Sequence, residues 1–183
     1  MIDITSADWT EYEESATIAV LKKIAYCQDQ KKPLPVAVFE AHCKSKKNIA
    51  TELVLFNGEG EIYLVKRPSL EENPNEPYSD QWHNPGVTHN KNESLEDALE
   101  RLRQSEGLKF SGVEEISHRD SRDDKRGRYL SCIFIANGTG AQINPRGRFF
   151  RQGEIPWDEL VSAQRETIIP AALEAYNKRK SPM

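Results

Sequence analysis

Two β-rich runs joined by a glycine-containing turn constrain the fold of this chain more than any other feature of its sequence. The runs extend from Thr51 to Phe56 and from Glu61 to Lys66, and the tetrapeptide "NGEG" lies between them. Glycine permits the positive φ that a tight hairpin turn requires. The sequence therefore predicts an antiparallel hairpin here, and with it a domain that contains a β-sheet.

An amphipathic helix is predicted over residues 94–105. Its apolar side chains follow the i, i+3, i+4, i+7 spacing of one helix face, and they are Leu95, Ala98, Leu99 and Leu102. Gly107 comes directly after this pattern, and glycine often ends a helix because it tolerates the left-handed conformation. We therefore expect the helix to begin at Ser94 and to end before Gly107.

The rest of the second half predicts another hairpin and a closing helix. A strand around residues 114–119, the charged turn "DSRDDKRGR" and the strand "YLSCIFIAN" follow one another. The C-terminal segment "IPWDELVSAQRETIIPAALEAYNKRK" has helical periodicity that is interrupted by Pro170. Upstream, "SLEENPNEPYSDQ" is rich in turn-forming residues and predicts an exposed loop that leads to Trp82.

The N-terminal region predicts a helical extension that packs on the body of the protein. Residues 6–27 carry one apolar stripe at helical spacing, with Ser6 or Asp8 as the cap; the stripe consists of Trp9, Tyr12, Ala16, Val20 and Ile24. After the break at "KKPLP", the segment "VAVFEAHCKSKK" predicts a short second helix. We expect the extension to span residues 1–45 and either to cover an edge of the domain or to form a homodimer interface.

Composition bounds the class of protein and its partners. The chain has 183 residues, enough for one domain with its own core, and a formal net charge of -4, which gives no overall attraction to nucleic acid or to an anionic membrane. No stretch approaches the roughly 18 apolar residues of a membrane span. Three widely spaced cysteines and an acidic N-terminus predict reduced thiols and a cytoplasmic location.

The segment "QWHNPGVTHNKNESLEDALERLRQSEGL", residues 81–108, resembles the signature of the Nudix hydrolase family, GX5EX7REUXEEXGU with U aliphatic. The order of predicted elements resembles that family over roughly residues 48–178. The resemblance implies an α/β fold, a Nudix-type α/β/α sandwich with a mixed sheet, over residues 46–183, after the N-terminal extension. It also implies Mg²⁺ or Mn²⁺, held by carboxylates of the signature against a diphosphate.

Two registers align the signature with this degenerate segment, residues 86–108. The first, which the sequence favours, places Glu93, Arg101 and Glu106 on charged positions of the signature. It places Leu102 and Ser105 where the signature has glutamates. In this register positions 102, 105 and 106 share one helix face, which would be the metal-binding face. The second register keeps the spacing from Gly86 to Gly107 and preserves none of the charged positions.

The first register implies specific roles and two classes of function. Glu106 is the surviving metal ligand, and Glu93 and Arg101 are catalytic organisers or partners in a structural ion pair. The chain is then a metal-dependent pyrophosphohydrolase of nucleoside diphosphate-linked compounds with a weakened metal site. The alternative is a noncatalytic Nudix module that binds a nucleotide or a protein, and the apolar Leu102 favours it.

Substrate contacts and a general base would come from outside the signature. Arg67, Trp82 and His89 are the candidate substrate-binding residues for a nucleotide-type small molecule, with core packing as the simpler role for Trp82. "WHNPGVTH" distantly resembles isopentenyl-diphosphate isomerase, but Val87 stands where the catalytic cysteine of that enzyme belongs. Further phosphate contacts and base candidates are Lys66, Arg119, Arg122, Lys125, Arg126 and Arg128, and Glu114, Glu115, Asp123 and Asp124. Arg146, Arg148 and Arg151 alternate with Phe149 and Phe150, which is only a weak indication of nucleic-acid binding.

Overall fold

The computed structural model describes residues 8–30, 32–90, 92–123, 127–139 and 142–180, with the backbone alone for residues 121–123. Its helices are α1 (Glu11–Asp29), α2 (Val36–Lys44), α3 (Leu95–Glu106) and α4 (Ile169–Lys180). Its strands are β1 (Lys47–Phe56), β2 (Ile62–Lys66), β3 (Trp82–His83), β4 (Gly86–Thr88), β5 (Phe110–Asp123), β6 (Gly127–Gly138) and β7 (Gly147–Phe150). Two short 3-10 helices (Gln152–Glu154 and Trp157–Glu159) and a π-helix (Gln164–Ile168) precede α4.

A mixed sheet forms the centre of the fold. Its strand order is β3-β2-β1-β6-β5, with β4 paired to β1 and β7 paired to β2. β1 and β6 are parallel from the Lys47–Arg128 pair to the Phe56–Asn137 pair, while the other pairs are antiparallel. Both predicted hairpins are confirmed, because β1 pairs with β2 and β5 pairs with β6. Gly60, at the end of the first turn, has the positive φ of 83° that this hairpin requires.

Helices cover both faces of the sheet, so the predicted α/β/α sandwich is confirmed. Successive strand residues point to opposite faces, and each face therefore has its own core. One core contains Val54, Phe56, Ile62, Leu64, Ile133 and Ile135 of the sheet with Ile169, Ala172 and Tyr176 of α4. The other contains Leu53, Leu55, Tyr63, Val65, Phe134 and Ala136 of the sheet with Leu102 of α3.

The N-terminal extension is helical, but the prediction that its apolar stripe packs on the body of the protein is wrong. Trp9, Tyr12 and Val20 are 64%, 69% and 52% exposed, whereas Ile24 is buried. The cap is Thr10, not Asp8, because the Thr10 hydroxyl accepts from the Glu13 amide while the Glu13 carboxylate accepts from the Thr10 amide. Ser6, the other predicted cap, lies outside the described residues.

The second helix of the extension contacts the turn side of the β5–β6 hairpin. The Asn48 side chain, nearly fully buried, donates to the Cys43 carbonyl at the end of α2 at 3.0 Å. Gly127, with φ of 95°, lies so close that a Cβ atom there would stand 2.7 Å from the same carbonyl. A glycine is therefore required where β6 begins beside α2.

Two predicted irregular segments are more structured than their sequences indicate. The exposed loop at residues 69–81 contains the buried Glu76, which is 6% exposed. The irregularity expected at Pro170 occurs as the π-helix Gln164–Ile168, which continues into α4 directly before this proline. None of the helices in the described part of the chain is both long enough and apolar enough to cross a membrane.

Candidate functional site

The helix of the signature segment forms as the sequence predicts. α3 extends from Leu95 to Glu106, with the Ser94 hydroxyl accepting from the Asp97 amide at 3.1 Å. Gly107 follows in the left-handed conformation with φ of 63°. A cap at one end and a glycine at the other fix the ends of the helix, and its apolar face packs on the sheet.

Glu93 and Arg101 form an ion pair that closes the loop before α3. The Arg101 Nε and Nη2 atoms each donate to a different oxygen of Glu93 at 2.7 Å, and Nη2 also donates to the Thr88 carbonyl at 2.8 Å. The Glu93 carboxylate further accepts from the Asn90 amide at 2.7 Å. This arrangement ties the end of β4 to the middle of α3, which is the structural role that the sequence left open.

The electrostatics of Glu93 follow from this pairing. The hydrogen bonds from Arg101 hold the pKa of the Glu93 carboxyl below its ordinary value of 4.5, although burial of the carboxylate acts in the opposite direction. Because the carboxyl binds protons less readily in the folded state, its contribution to stability is complete above pH 4.5. That contribution is lost as the pH falls through the lower pKa of the folded state.

We therefore expect Glu93→Gln to lower the free energy of unfolding at pH 7 and to lower it progressively less as the pH falls below 4.5. Urea unfolding of both proteins at a series of pH values measures the difference. Glu96→Gln is the control for removal of one charge. Glu96 is exposed in the first turn of α3, close to Glu93 in the chain, and has no ion pair among the described residues. A difference that stays constant from pH 7 to pH 3 would contradict this account.

Leu102 does not lie on a metal-binding face, so the face expected from the first register is wrong. Leu102 is 1% exposed and belongs to the core on the α3 side of the sheet, while Ser105 is exposed to solvent. Glu106 accepts from the Asn144 side chain at 2.6 Å, away from Leu102. Leucine is found inside because its burial removes apolar surface from water.

Burial of aliphatic residues favours the second register. In that register the two aliphatic positions of the signature fall on Leu102 and Leu108, which are both buried. In the first register they fall on Arg103 and Lys109, which are both exposed. The second register places Gln104 and Ser105 on the glutamate pair, and Glu106 on a position with no assigned charge.

The side chains on α3 do not fit a divalent metal ion of the kind that the resemblance implies. Mg²⁺ and Mn²⁺ favour several oxygen ligands, mainly carboxylates. Within the described ranges, no group of three or more His, Cys, Asp or Glu side chains is arranged to hold a metal. Glu106 is a single carboxylate that accepts from the Asn144 side-chain amide, so a metal site beside it would have too few protein ligands.

A cleft of about 570 Å³ lies on the other face of the sheet, next to the core under α4. Ala50 and Glu52 of β1, Gly86 and Thr88 of β4, and Tyr129 and Ser131 of β6 contribute to its floor, and residues 161–168 form a wall. None of Glu93, Arg101 and Glu106 lines it. The signature helix therefore supports the sheet from behind the cleft.

Polar groups on the floor of the cleft are held in fixed positions. The Asn84 side chain, fully buried, donates to Glu52 at 2.9 Å, and its own Oδ1 atom has no hydrogen-bond partner in the described structure. A Cβ atom on Gly86 would lie 2.6 Å from the same Glu52 oxygen. Glycine at position 86 is therefore needed for the Glu52 carboxylate to lie against β4.

The wall of the cleft contains Gln164, a buried residue at the start of a π-helix. Gln164 is 8% exposed, and its Oε1 atom is buried without a hydrogen-bond partner among the described residues. It begins the π-helix Gln164–Ile168, and short π-helical segments occur often at functional sites. A buried acceptor without a donor is unfavourable, and a ligand in the cleft could donate to this atom only after the Gln164 side chain rotates toward the cleft.

Two arginines of the cleft differ in their charge balance. Arg67 donates to both oxygens of the buried Glu76 at 2.6 and 2.9 Å, which neutralises its charge and holds its side chain. Arg119 is exposed at the cleft, and no carboxylate of the described residues pairs with it. Arg119 is therefore the cation that remains available to an anionic ligand.

The other predicted site residues lie apart from the cleft. Trp82 is 8% exposed and packs edge-to-face on Phe150, so core packing is confirmed. His89 lies 2.7 Å from the Thr51 hydroxyl through its Nε2 atom. Glu114 pairs with Arg179, while Asp124, Lys125 and Arg126 and the side chains of Arg122 and Asp123 lie outside the described residues.

The residues that give the cleft its polar character were not predicted from the sequence. Glu52 and Gln164 were not among the candidates, and Tyr129 was treated only as part of a strand. A signal for Glu52 exists, because it is a single carboxylate directly before the apolar run "LVLF", and a carboxylate is unusual in a largely buried strand. Gln164 has no comparable signal, since its role depends on the π-helix.

Comparison with known proteins identifies the fold. No protein-family model and no curated protein sequence matches the chain. Among solved structures, a Nudix hydrolase from Nitrosomonas europaea matches at a TM-score of 0.55 and 15% identity, over 75% of this chain and 94% of that chain. A second structure of a Nudix hydrolase from Nitrosomonas europaea matches at a TM-score of 0.49 and 20% identity, over 73% of this chain and 72% of that chain. The first of these matches, together with the mixed sheet between helical layers, shows that this chain has the Nudix fold.

Proposed function

We propose that this protein binds a nucleotide-type anionic small molecule in the cleft, and that binding rather than metal-dependent hydrolysis is its function. The observation that carries the proposal is an exposed cation, Arg119, which has no carboxylate partner among the described residues, in a cleft whose wall contains Gln164. Arg119 offers positive charge, and Gln164 offers a buried Oε1 atom without a donor. A ligand with a phosphate and a hydrogen-bond donor would complement both.

The size of the cleft and part of its lining agree with such a ligand, while the carboxylates of Glu52, Asp120 and Glu166 also line it. Small-molecule sites have volumes of about 300–1,000 Å³ and combine apolar walls with a few fixed polar groups. Here Val161 and Ile168 supply apolar surface, and Tyr78 and Tyr129 supply aromatic rings. Nucleobases stack on aromatic rings, and their exocyclic amines are donors that an amide oxygen accepts.

The residues of the signature helix do not favour metal-dependent hydrolysis. Metal-assisted hydrolysis needs ligands that hold the cation where it activates water and neutralises the leaving group. Leu102 points into the core, and Glu106 is bonded to Asn144, so α3 offers no cluster of carboxylates to the reaction. A binding module of this fold would keep the cleft and would not need these metal ligands.

Arg119→Gln is expected to weaken binding of a nucleoside diphosphate by about tenfold to a hundredfold, the effect of losing one charge-assisted hydrogen bond. Isothermal titration calorimetry with a panel of nucleoside mono- and diphosphates measures the affinity, first with a chelator and then with Mg²⁺ or Mn²⁺. Arg151→Gln is the matched control, because Arg151 is exposed and lies outside the cleft.

The same samples test whether the ligand is cleaved. Phosphorus NMR follows the diphosphate in the presence and absence of metal for the length of the titration. We expect binding with the chelator present and an unchanged ligand afterwards. Metal-dependent cleavage would overturn the proposal in favour of the hydrolase, and equal loss of affinity in Arg119→Gln and Arg151→Gln would remove the cleft as the binding site.

A further inference from the structure

A second cavity, of about 450 Å³, shares Arg67 with the cleft, and four of its nine lining residues are cationic. We call it the Trp82 cavity, and it is formed by Lys66, Arg67, Glu72, Asp80, Trp82 and residues 145–148. Four of these side chains are cationic, namely Lys66, Arg67, Arg146 and Arg148, whereas Glu72 and Asp80 are anionic. The cavity is thus locally basic in a chain whose net charge is -4.

Two of the cations converge on one aromatic ring. The Lys66 Nζ atom lies 5.8 Å and the Arg148 Cζ atom 4.9 Å from the centroid of the Trp82 ring. Strand pairing explains this convergence, since Lys66 is paired with Trp82 across β2 and β3, and Arg148 with Leu64 across β7 and β2. Because residues two apart on a strand share a face, Leu64 and Lys66 bring both partners to the same side of the sheet.

The two cations at this ring form no ion pair among the described residues, although Glu72 and Asp80 line the same cavity. Neither Lys66 nor Arg148 has a carboxylate partner among the described residues, and Arg146 reaches Glu72 only at 3.4 Å. Arg67 borders both cavities, but its two bonds to Glu76 already neutralise it. An aromatic face attracts each cation, yet two like charges over one ring repel one another unless an anion lies between them.

We propose that the Trp82 cavity is a second ligand site, separate from the cleft, that binds a small phosphate-bearing anion of about the size of pyrophosphate through Lys66 and Arg148. Arg148 is held in place by the Phe150 ring, whose centroid is 4.4 Å from its Cζ atom, so its guanidinium is positioned before a ligand arrives. A planar guanidinium suits phosphate oxygens because it donates two parallel hydrogen bonds.

Inorganic pyrophosphate is the probe for this site. Calorimetric titration is expected to show binding that weakens as the salt concentration rises. Arg148→Gln and Lys66→Gln should each weaken it by about tenfold or more, because each removes one charged donor. Arg151→Gln is the matched control, because this exposed arginine follows the same strand but lies outside the cavity.

A second readout locates the anion. In a proton–nitrogen NMR spectrum, pyrophosphate should shift the indole signal of Trp82, while those of Trp9 and Trp157 serve as internal references, since they are 64% and 36% exposed and line neither cavity. Circular dichroism and thermal unfolding confirm that each variant is folded. The titration uses no nucleotide, and Arg119→Gln distinguishes binding of pyrophosphate in the cleft from binding in the Trp82 cavity.

Five outcomes would overturn the proposal. Absence of pyrophosphate binding would show that the site does not exist. A loss of affinity in Arg151→Gln equal to that in Arg148→Gln would show that binding is not specific to the Trp82 cavity. Loss in Arg119→Gln without loss in Arg148→Gln would assign the anion to the cleft. If Arg148→Gln lowers the thermal stability but leaves pyrophosphate binding unchanged, the role of these cations is to pack on Trp82 and not to bind an anion. Binding of a single-stranded oligonucleotide through the same residues, without binding of pyrophosphate, would replace the small anion with nucleic acid.

Discussion

Leu102→Glu is expected to prevent folding or to lower the free energy of unfolding by more than about 4 kcal/mol, the range seen when an unpaired charge is buried. The substitution is informative because the first register of the signature would make it a reversion to a metal ligand. The structure instead places position 102 at 1% exposure between α3 and the sheet. Urea unfolding at pH 7, followed by circular dichroism, measures the effect.

Matched variants separate burial of charge from other causes. Ser105→Glu adds the same side chain at an exposed position of the same helix and is expected to change stability by less than about 0.5 kcal/mol. Leu102→Met keeps an apolar side chain of similar volume and is expected to cost less than about 1.5 kcal/mol. A stable Leu102→Glu, Ser105→Glu double variant that gains metal-dependent cleavage would restore the first register and the hydrolase.

Arg101→Met is expected to lower the free energy of unfolding by about 2–3 kcal/mol, less than for a fully buried pair because Arg101 is partly exposed. The Glu93 side chain is only 8% exposed, so it would keep a buried charge without its partner. The Thr88 carbonyl would also lose its donor. Thermal unfolding at pH 7 compares this variant with Arg103→Met, whose loss of stability should stay below about 1 kcal/mol. The Arg103–Glu100 pair is exposed on both sides, and the Arg103 guanidinium also lies 4.3 Å from the Phe110 ring.

A double variant tests whether the two residues act as a pair. If the Glu93–Arg101 bonds account for the loss, Glu93→Gln combined with Arg101→Met should cost clearly less than the sum of the two single changes. Additive losses would contradict the pairing and would indicate that each side chain contributes through separate contacts.

Elements formed by neighbouring residues were predictable from the sequence. The β1–β2 hairpin depends on the turn at residues 57–60, and α3 depends on Ser94, Gly107 and an apolar stripe, all of which are local patterns. The parallel pairing of β1 with β6 was not predicted, since it joins Asn48 to a segment 80 positions away and has no local signature. The resemblance to the Nudix family supplied the layer order that local patterns lack.

The N-terminal helix shows where periodicity alone is insufficient. Ile18, Leu21 and Tyr26 are exposed, and they lie outside the predicted stripe. Apolar residues therefore occur around most of α1, and spacing does not select the face that packs. The division into an extension of residues 1–45 and a domain of residues 46–183 remains a proposal.

The site was harder to predict than the fold because the signature directs attention to α3. Aliphatic positions, not charged ones, were the better guide to its register, since burial of Leu102 and Leu108 is required by the core. The cleft instead takes Glu52 from β1, Arg119 from β5 and Gln164 from the π-helix. Their proximity depends on tertiary structure, which a single sequence motif does not encode.

The parallel β1–β6 pairing also has a consequence for the order of events during folding. β1 is the central strand, yet its partner on one side is translated only after β2, β3, β4, α3 and β5 have been made. Closing so long a loop costs chain entropy before the contacts that compensate it can form, and topologies rich in distant contacts fold slowly. A nascent chain that ends before β6 would therefore expose the apolar edge of β1, and this intermediate is the species most prone to aggregation or to capture by a chaperone.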